Sequence, residues 1–303
     1  MKVAGISVAY NDDYKLEEWA QYYDEYKDEL YMHIIVDNGS EHSFLLKLET
    51  VFPKATIIKR KSNGGSTAAY NDGIKLALRD NTVDSILLIG NDVKLKKGSI
   101  GELHKLLFSN NFFGLVAPVL LKKNSEEIED FGCFITKSLH LKPQFVGEKV
   151  TSKNLPITVE VEAVTGGMNM GKRILYETIG LQDEALFMYS DEVDFGLRIK
   201  KSNFMTLVTR RAIAWHQHIN PNNGKVRNCY SSFLMRRNKG YLAYKHFGFS
   251  KALYVFTFQI INIPKMLIIY LRQGSFCYAF CYIIGSIFGF LRIMKPVRFI
   301  CRH

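Results

Sequence analysis

The sequence is poor in several features that would otherwise define its class. Its five cysteines (Cys133, Cys229, Cys277, Cys281, Cys301) include no CxxC pair. An odd, scattered set of this kind excludes a disulfide framework and a zinc ribbon, and it fits a reducing compartment. The first residues, Met1-Lys2-Val3-Ala4-Gly5-Ile6-Ser7-Val8, lack the long apolar core of a secretory leader, so a cytoplasmic location is expected. There is no internal repeat with a period of 20–50 residues and no low-complexity tract. Charged residues make up 23% and hydrophobic residues 47%, a balance that excludes disorder as the default. The most consequential absence is of acid. No Asp or Glu follows Asp194.

The 109 residues after Asp194 contain 18 lysines and arginines, whereas residues 1–194 carry 22 basic and 29 acidic side chains. The overall charge of +11 is therefore a basic half attached to an acidic one, an asymmetry that points to a polyanionic partner of the second half. Nucleic acid and an anionic lipid surface are the two candidates. At this length, one catalytic domain with an appendage is expected.

Short apolar runs alternate with amphipathic stretches through the first half. Strands are predicted at residues 3–9, 32–36, 55–59, 85–89 and 113–119, and helices at 14–30, 41–52, 67–78 and 99–108. This rhythm implies an α/β fold, a mostly parallel, Rossmann-like sheet flanked by helices. Residues 126–164 read as less regular. Helices at 171–179 and 191–201, strands at 204–208 and 212–215, and a basic helix at 226–244 follow. In such sheets functional groups gather at the carboxyl ends of strands. Tyr10-Asn11-Asp12, Asp37-Asn38-Gly39-Ser40 and Asn91-Asp92 fall there.

Four segments could carry chemistry, each with a plainer reading beside it. Asn63 to Gly73 places small residues at a helix start, where backbone N–H groups and the dipole favour a diphosphate; the plainer reading is a tight turn with close helix–sheet packing. No Gly-Lys-Ser/Thr ends the segment, so it is not a P-loop. Asp37 and Asp92 each end a predicted strand. One carboxylate there can bond a base or ribose, and another can ligate a divalent metal, though both also suit turns. Asp191, Glu192 and Asp194 cluster at a helix start, as a general base for a hydroxyl or as capping acids. His216 and His218 share one face of a strand, as metal or phosphate ligands or as structural histidines.

The order of these pieces resembles the GT-A-fold glycosyltransferases of family 2, in particular the rhamnosyltransferase-like group of cell-surface polysaccharide synthesis. The match runs from Val3 to about Asn238. It comprises Val8-Ala9-Tyr10-Asn11, the Val36–Ser40 turn, the loop matched at Asn63, Gly65, Ala69, Asn71 and Gly73, then Thr165-Gly166-Gly167-Met168. Asp183-Glu184-Ala185-Leu186-Phe187, the acidic cluster, His216 and Arg237-Asn238 complete it. The resemblance implies inverting transfer of a sugar from a nucleoside-diphosphate sugar to a saccharide or lipid-linked acceptor. It implies donor contacts from Tyr10, Asn11, Asp37, Asn63, Gly65, Asn71 and Asn91, with Mg²⁺ or Mn²⁺ held by Asp92 and His216. Glu192, with Asp191 as its rival, would be the base, and Gly166, Gly167 and Asp194 would lie on the acceptor side. Two positions depart from the family pattern: Gly90 replaces the first polar residue of the metal motif, and Asp191-Glu192 inverts the usual Glu-Asp order. Both leave open a catalytically impaired membrane-associated partner. A sugar nucleotidylyltransferase would need a Gly-rich, Arg/Lys-containing loop where Tyr10-Asn11-Asp12 stands.

The expected organisation is a catalytic domain at 1–248, with a nucleotide half at 1–97 and an acceptor half at 98–248, followed by a helical tail at 249–303. In the tail, uncharged runs at 252–264 and 276–291 fall short of the about 20 residues that a span requires. Lys251, Arg272, Arg292, Lys295, Arg298 and Arg302 flank them. The pattern is that of interfacial helices on an anionic membrane surface, on the inner face of the cell membrane. Packing against the core or an oligomer interface is the alternative. Nucleic acid would not require so much apolar surface.

Overall fold

Parallel strands made almost wholly of apolar residues are stable only when both faces are covered. The computed structural model, which describes residues 1–165, 167–217, 225–272 and 276–294, meets this condition at the centre of its sheet. Strands β1 (Val3–Ala9), β2 (Met32–Asp37), β3 (Thr56–Lys59) and β4 (Ser85–Ile89) lie in the order β4-β1-β2-β3, all parallel. The two-residue strand period sends alternate side chains to opposite layers. Ala4, Ile6, Ile34, Val36, Ile86 and Leu88 pack with Ala69, Ile74 and Ala77 of α3 (Gly65–Ala77). Val3, Leu87 and Ile89 pack with Ile100, Leu103 and Leu107 of α4 (Ser99–Phe108). Helices α1 (Asp13–Tyr26) and α2 (His42–Val51) close a third cluster through Leu16, Trp19, Phe44 and Leu48. Gly73 sits so close to β1 that a Cβ there would lie 2.4 Å from Ile6 Cγ2, which is close helix–sheet packing.

The sheet continues beyond β4 as β11 (Met168–Lys172), β6 (Phe113–Lys122), β12 (Met205–His216) and β10 (Thr158–Val161). Strand β12 runs parallel to β6, whereas β11 is inserted antiparallel between β4 and β6. Short strands β5 (Val93–Leu95) and β7 (Ile128–Asp130) add to β12 and β6, and β8 (Cys133–Ile135) pairs with β9 (Leu141–Pro143). Helices α5 (Arg173–Ile179) and α6 (Asp191–Lys200) complete the order. The doubly wound α/β core read from the sequence is therefore present. Two details differ. Residues 171–172, expected to begin a helix, end β11, because Gly171 leaves room for the ring of Tyr176, which a Cβ would approach within 2.8 Å. The two strands expected at 204–208 and 212–215 form one, Met205–His216, with a register irregularity between Thr209 and Ile213 where Arg210-Arg211 interrupts the apolar pattern.

The chain divides into two units. The first comprises Met1–Phe134, Leu141–Gln182 and Phe195–Ile219, and holds the sheet. The second comprises Ile135–His140, Asp183–Asp194 and Asn220–His303. Its frame is α7 (Lys225–Phe247), α8 (Phe249–Ile261), α9 (Ile263–Arg272) and α10 (Phe276–Phe290). Glycines set the α7–α10 crossing, since helix separation follows the size of the contact residues. A Cβ on Gly285 would lie 2.5 Å from Phe233 O, and one on Gly289 would lie 2.4 Å from Arg237 O. Among the described residues no single helix is long and apolar enough to cross a membrane; α8 and α9 together have the length and composition but bend by 43°.

Candidate active site

The turns after β1, β2 and β3 are joined by their own polar side chains. Asn11 adopts φ 48°, accepts from Glu41 N at 2.9 Å, and donates through its backbone to Ser40 Oγ at 3.0 Å. Asp37 is 2% exposed and accepts from Ser40 N. Asn38 donates to Asn63 Oδ1 at 3.0 Å and to Gly65 O at 3.2 Å, and accepts from Gly64 N. Asn63 in turn accepts from Gly65 N at 2.9 Å. Tyr10, Asn11, Asp37, Asn63 and Gly65 thus belong to one connected edge, with Tyr10 exposed. Asn71 takes a bracing position, its amide paired with both backbone atoms of Gln182.

The second cluster lies where β1, β4 and β12 end. Asn91 donates to Asp12 Oδ2 at 2.7 Å and accepts from Lys15 Nζ at 3.2 Å. The same ammonium, on a side chain only 6% exposed, lies 3.5 Å from Asp92. His216 Nε2 is 3.7 Å from the other Asp92 oxygen, and its Nδ1 is 3.3 Å from Glu129. Burial opposes the Asp92 charge, but His216 and Lys15 outweigh it and hold the carboxyl well below the usual range. For His216 burial likewise acts against protonation, yet Asp92 and Glu129 push it up to about 9. Lys15 and Glu129 were not legible as site residues. The only signal was the Asp12–Lys15 spacing, which gives an i,i+3 pair.

The departure at Gly90 has a local cause. Its N–H donates to Gly167 O at 2.6 Å, and a Cβ there would lie 3.1 Å from Asp92 Oδ1. A second carboxylate at position 90 would crowd the first. Asp92 and, once it has given up its proton, His216 offer two ligands to a metal, and no group of three His, Cys, Asp or Glu side chains able to hold a metal occurs among the described residues. Two donors fit an ion carried largely by substrate phosphates, which needs only one or two protein ligands. Gly167, at φ 147°, sits beside Gly90; Gly166 and His218 lie outside the described residues.

In the second unit, the acidic cluster follows a loop whose backbone is unusual. Phe187, Tyr189 and Ser190 have φ of 65°, 66° and 62°, each a conformation costing about 1–3 kcal/mol unless its surroundings impose it. Two fully buried side chains of α7 impose it. Asn238 donates to the carbonyls of Leu186, Met188 and Tyr189 at 3.1, 2.9 and 2.7 Å. Arg237 donates to Ala185 O, Leu186 O, Met294 O and Asn238 Oδ1. Asp183 accepts from Tyr241 and Lys245, and Asp194, 1% exposed, is held by Lys245 at 2.7 Å and His246 at 2.8 Å. Asp194 therefore anchors α6 to α7. Asp191 and Glu192 are half-buried. Burial, then the Glu192 charge, raises the Asp191 carboxyl well above its ordinary value, which suits proton transfer near neutrality.

A mixed sheet with helices on both faces, polar turns at its carboxyl edge and apolar helices at the C-terminal end is the GT-A architecture. Solved GT-A structures superpose on it. The mannosyltransferase PcManGT from Pyrobaculum calidifontis, in complex with GDP-Man and Mn²⁺, gives a TM-score of 0.53 at 14% identity, covering 95% of this chain and 86% of that one. GalNAc-T7 with UDP, GalNAc and Mn²⁺ gives 0.57 at 12% identity over 71% of this chain and 44% of that one. TarS from S. aureus gives 0.52 at 14% identity over 82% and 40%. In sequence, the chain is 24% identical over 173 residues to the low-salt glycan biosynthesis hexosyltransferase Agl10 of Haloferax volcanii, covering 56% of this chain. The chain matches about half the length of that relative, 53%. No protein-family model matches.

The loop geometry makes a direct prediction. Asn238→Asp would aim a carboxylate at three carbonyl oxygens and should lower the unfolding free energy by about 1–3 kcal/mol. Denaturant titration measures it, and unchanged stability would show that the loop does not depend on this amide.

Proposed function

We propose that the chain is a glycosyltransferase that takes a sugar from a nucleoside-diphosphate sugar and transfers it, with inversion, to a saccharide or lipid-linked acceptor in cell-surface polysaccharide synthesis. The observation that carries the reading is the Asp92–His216 pair at the carboxyl edge of a GT-A sheet. The resemblance to a hexosyltransferase of glycan biosynthesis supports the same reaction class. In this reading Asp37 contacts the nucleoside and the Asn63–Gly65 turn shapes its site. Asp92 and His216 hold Mg²⁺ or Mn²⁺, which when bound neutralises the leaving diphosphate. Glu192 or Asp191 takes the proton of the acceptor hydroxyl. The oxygen then bonds to the anomeric carbon as the bond to the diphosphate oxygen breaks on the opposite side.

A second reading is favoured by Lys15, whose ammonium sits against Asp92: a fold-retaining, catalytically impaired partner. Thermal unfolding with nucleoside-diphosphate sugars, with and without Mn²⁺, separates the two. Ligand at about 100 times its dissociation constant should raise the melting temperature by on the order of 5 °C, and Asp92→Asn should remove the part that depends on Mn²⁺. If no nucleotide sugar shifts melting under either condition, the transferase reading fails and the second one stands.

The raised Asp191 carboxyl gives the reaction a pH signature. A base works only when deprotonated, so the rate should climb as pH rises through the elevated Asp191 value and level off above it. Asp191→Asn should abolish that limb, and Glu192→Gln should lower kcat by about a hundredfold or more. Full rates in both variants would remove these residues from the mechanism.

We also read the second unit as peripheral on an anionic bilayer at the cytoplasmic face. On α8, Leu253, Tyr254, Phe258 and Ile261 are exposed opposite buried Ala252, Val255 and Gln259. On α9, Ile268 and Ile269 share an exposed face with Lys265 and Arg272. Apolar surface rimmed by cations is complementary to anionic headgroups. The chain should sediment with vesicles containing phosphatidylglycerol and much less with phosphatidylcholine alone, and Ile261→Glu should weaken binding by about tenfold. Equal sedimentation of both proteins would exclude this face, and a dimer broken by the substitution would assign it to a second copy.

A further inference from the structure

Helix α7 carries hydrogen-bond donors at positions 232, 236 and 239, spaced i, i+4 and i+7 along one face. Lys239 is 4% and Ser232 9% exposed. Neither Ser232 Oγ nor Arg236 Nε has a hydrogen-bond partner among the described residues, although both atoms are buried. Arg236 Nη1 lies 3.3 Å from His140 Nε2, and its guanidinium stands 4.5 Å from the centroid of the Tyr282 ring. Burial, then the charges of Lys239 and Arg236, lowers His140 to about 4, so the imidazole is neutral and accepts from Arg236. Burial and Arg236 likewise hold Lys239 well below its ordinary range.

Buried cations without counter-charge are costly, and the unit's acids lie elsewhere. Its acidic residues all fall within 183–194, where Asp183 and Asp194 are engaged by Tyr241, Lys245 and His246. Guanidinium, hydroxyl and lysine amine donors that share one face of α7 without an acid match a tetrahedral anion with several acceptor oxygens, whose charge would also favour the protonated lysine. The surroundings add an apolar requirement. Phe258 lies 6.1 Å from the His140 ring, Tyr282 covers Arg236, and the exposed side of α8 continues as Leu253, Tyr254 and Ile261.

We propose that Ser232, Arg236 and Lys239 of α7, with His140, bind a phosphate group carried on an apolar chain. A phospholipid headgroup and a lipid-linked phosphate share this chemistry, and the proposed set has no residue in common with those assigned to the sugar donor. It can therefore be tested without any nucleotide sugar, so its failure would leave the donor reading untouched.

The experiment is calorimetric titration of the full chain with inorganic phosphate, pyrophosphate and dihexanoyl phosphatidic acid below its micellar concentration. The lipid phosphate should bind more tightly than either inorganic ion, and Arg236→Gln and Lys239→Met should each weaken it by roughly tenfold. Arg236→Lys, which keeps the charge, should retain an intermediate affinity. Circular dichroism and melting of each variant separate lost binding from lost folding. Equal affinity for pyrophosphate and the lipid would support the anion site while removing the apolar chain from the ligand. Absence of binding by all three probes, or unchanged affinity in folded Arg236→Gln and Lys239→Met, would overturn the proposal.

Discussion

Covering β1, β2 and β4 on both faces is the constraint from which the rest of the first unit follows. Most side-chain positions within these strands are taken up by packing, with Val3, Ala4, Ile6, Ile34, Ile35, Val36, Ile86, Leu87 and Ile89 at 0% exposure. Apart from the buried Ser7, His33 and Ser85, the polar side chains gather where the strands run out. The turns after them consequently crowd one edge and satisfy one another. Asn11 meets Ser40, Asn38 meets Asn63, and Asn91 meets Asp12. The cluster around Asp92 also keeps Lys15 as a buried cation, a pair whose desolvation cost is offset only by good geometry and extra hydrogen bonds. Asn91 Oδ1 and Asp12 supply part of that compensation.

The second unit solves a different problem. A loop with three non-glycine residues in the left-handed region does not persist by local preference. It persists because a guanidinium and an amide, both fully buried in α7, bind the carbonyls from residues 185 to 189. These donors are committed to the backbone, which explains how Arg237 can be buried without an acid beside it. The same helix then holds Asp194 from the other side through Lys245 and His246. The conformation that precedes Asp191 and Glu192 is thus imposed by residues some fifty positions away.

This separation marks the limit of what one sequence discloses. The strands at 3–9 and 85–89 and the helix at 99–108 were legible to the residue, because apolar periodicity and turn residues bracket them. The turn residues Asn11, Asp37, Asn63 and Asn91 were legible as a group because strand ends are where polar residues must go. Strand β11 was not, since Met168-Asn169-Met170-Gly171-Lys172 carries no alternation and owes its pairing to β4 and β6. Lys15 reads in sequence as an ordinary helix lysine; its partners Asn91 and Asp92 lie 76 and 77 residues away. Asn71 likewise finds its partner, Gln182, across 111 residues. Local pattern cannot encode such pairs, and they are what distinguish a bracing amide from a ligand-facing one.

The charge asymmetry gains a structural meaning from Asp194. As the last acid in the chain it is nearly inaccessible, and its charge is taken by Lys245 and His246. Asp183 is matched by Lys245 and Tyr241. Beyond residue 194 no further acid exists to balance Lys239, Lys251, Lys265, Arg272 or Arg292. Some of these find rings instead: Lys251 lies 5.0 Å from the Tyr254 centroid and Arg292 lies 4.3 Å from that of Tyr244. A ring attracts a cation without neutralising it. The unit therefore keeps a net positive potential beside exposed apolar helices, and this is a combination that water serves poorly and an anionic amphiphile serves well.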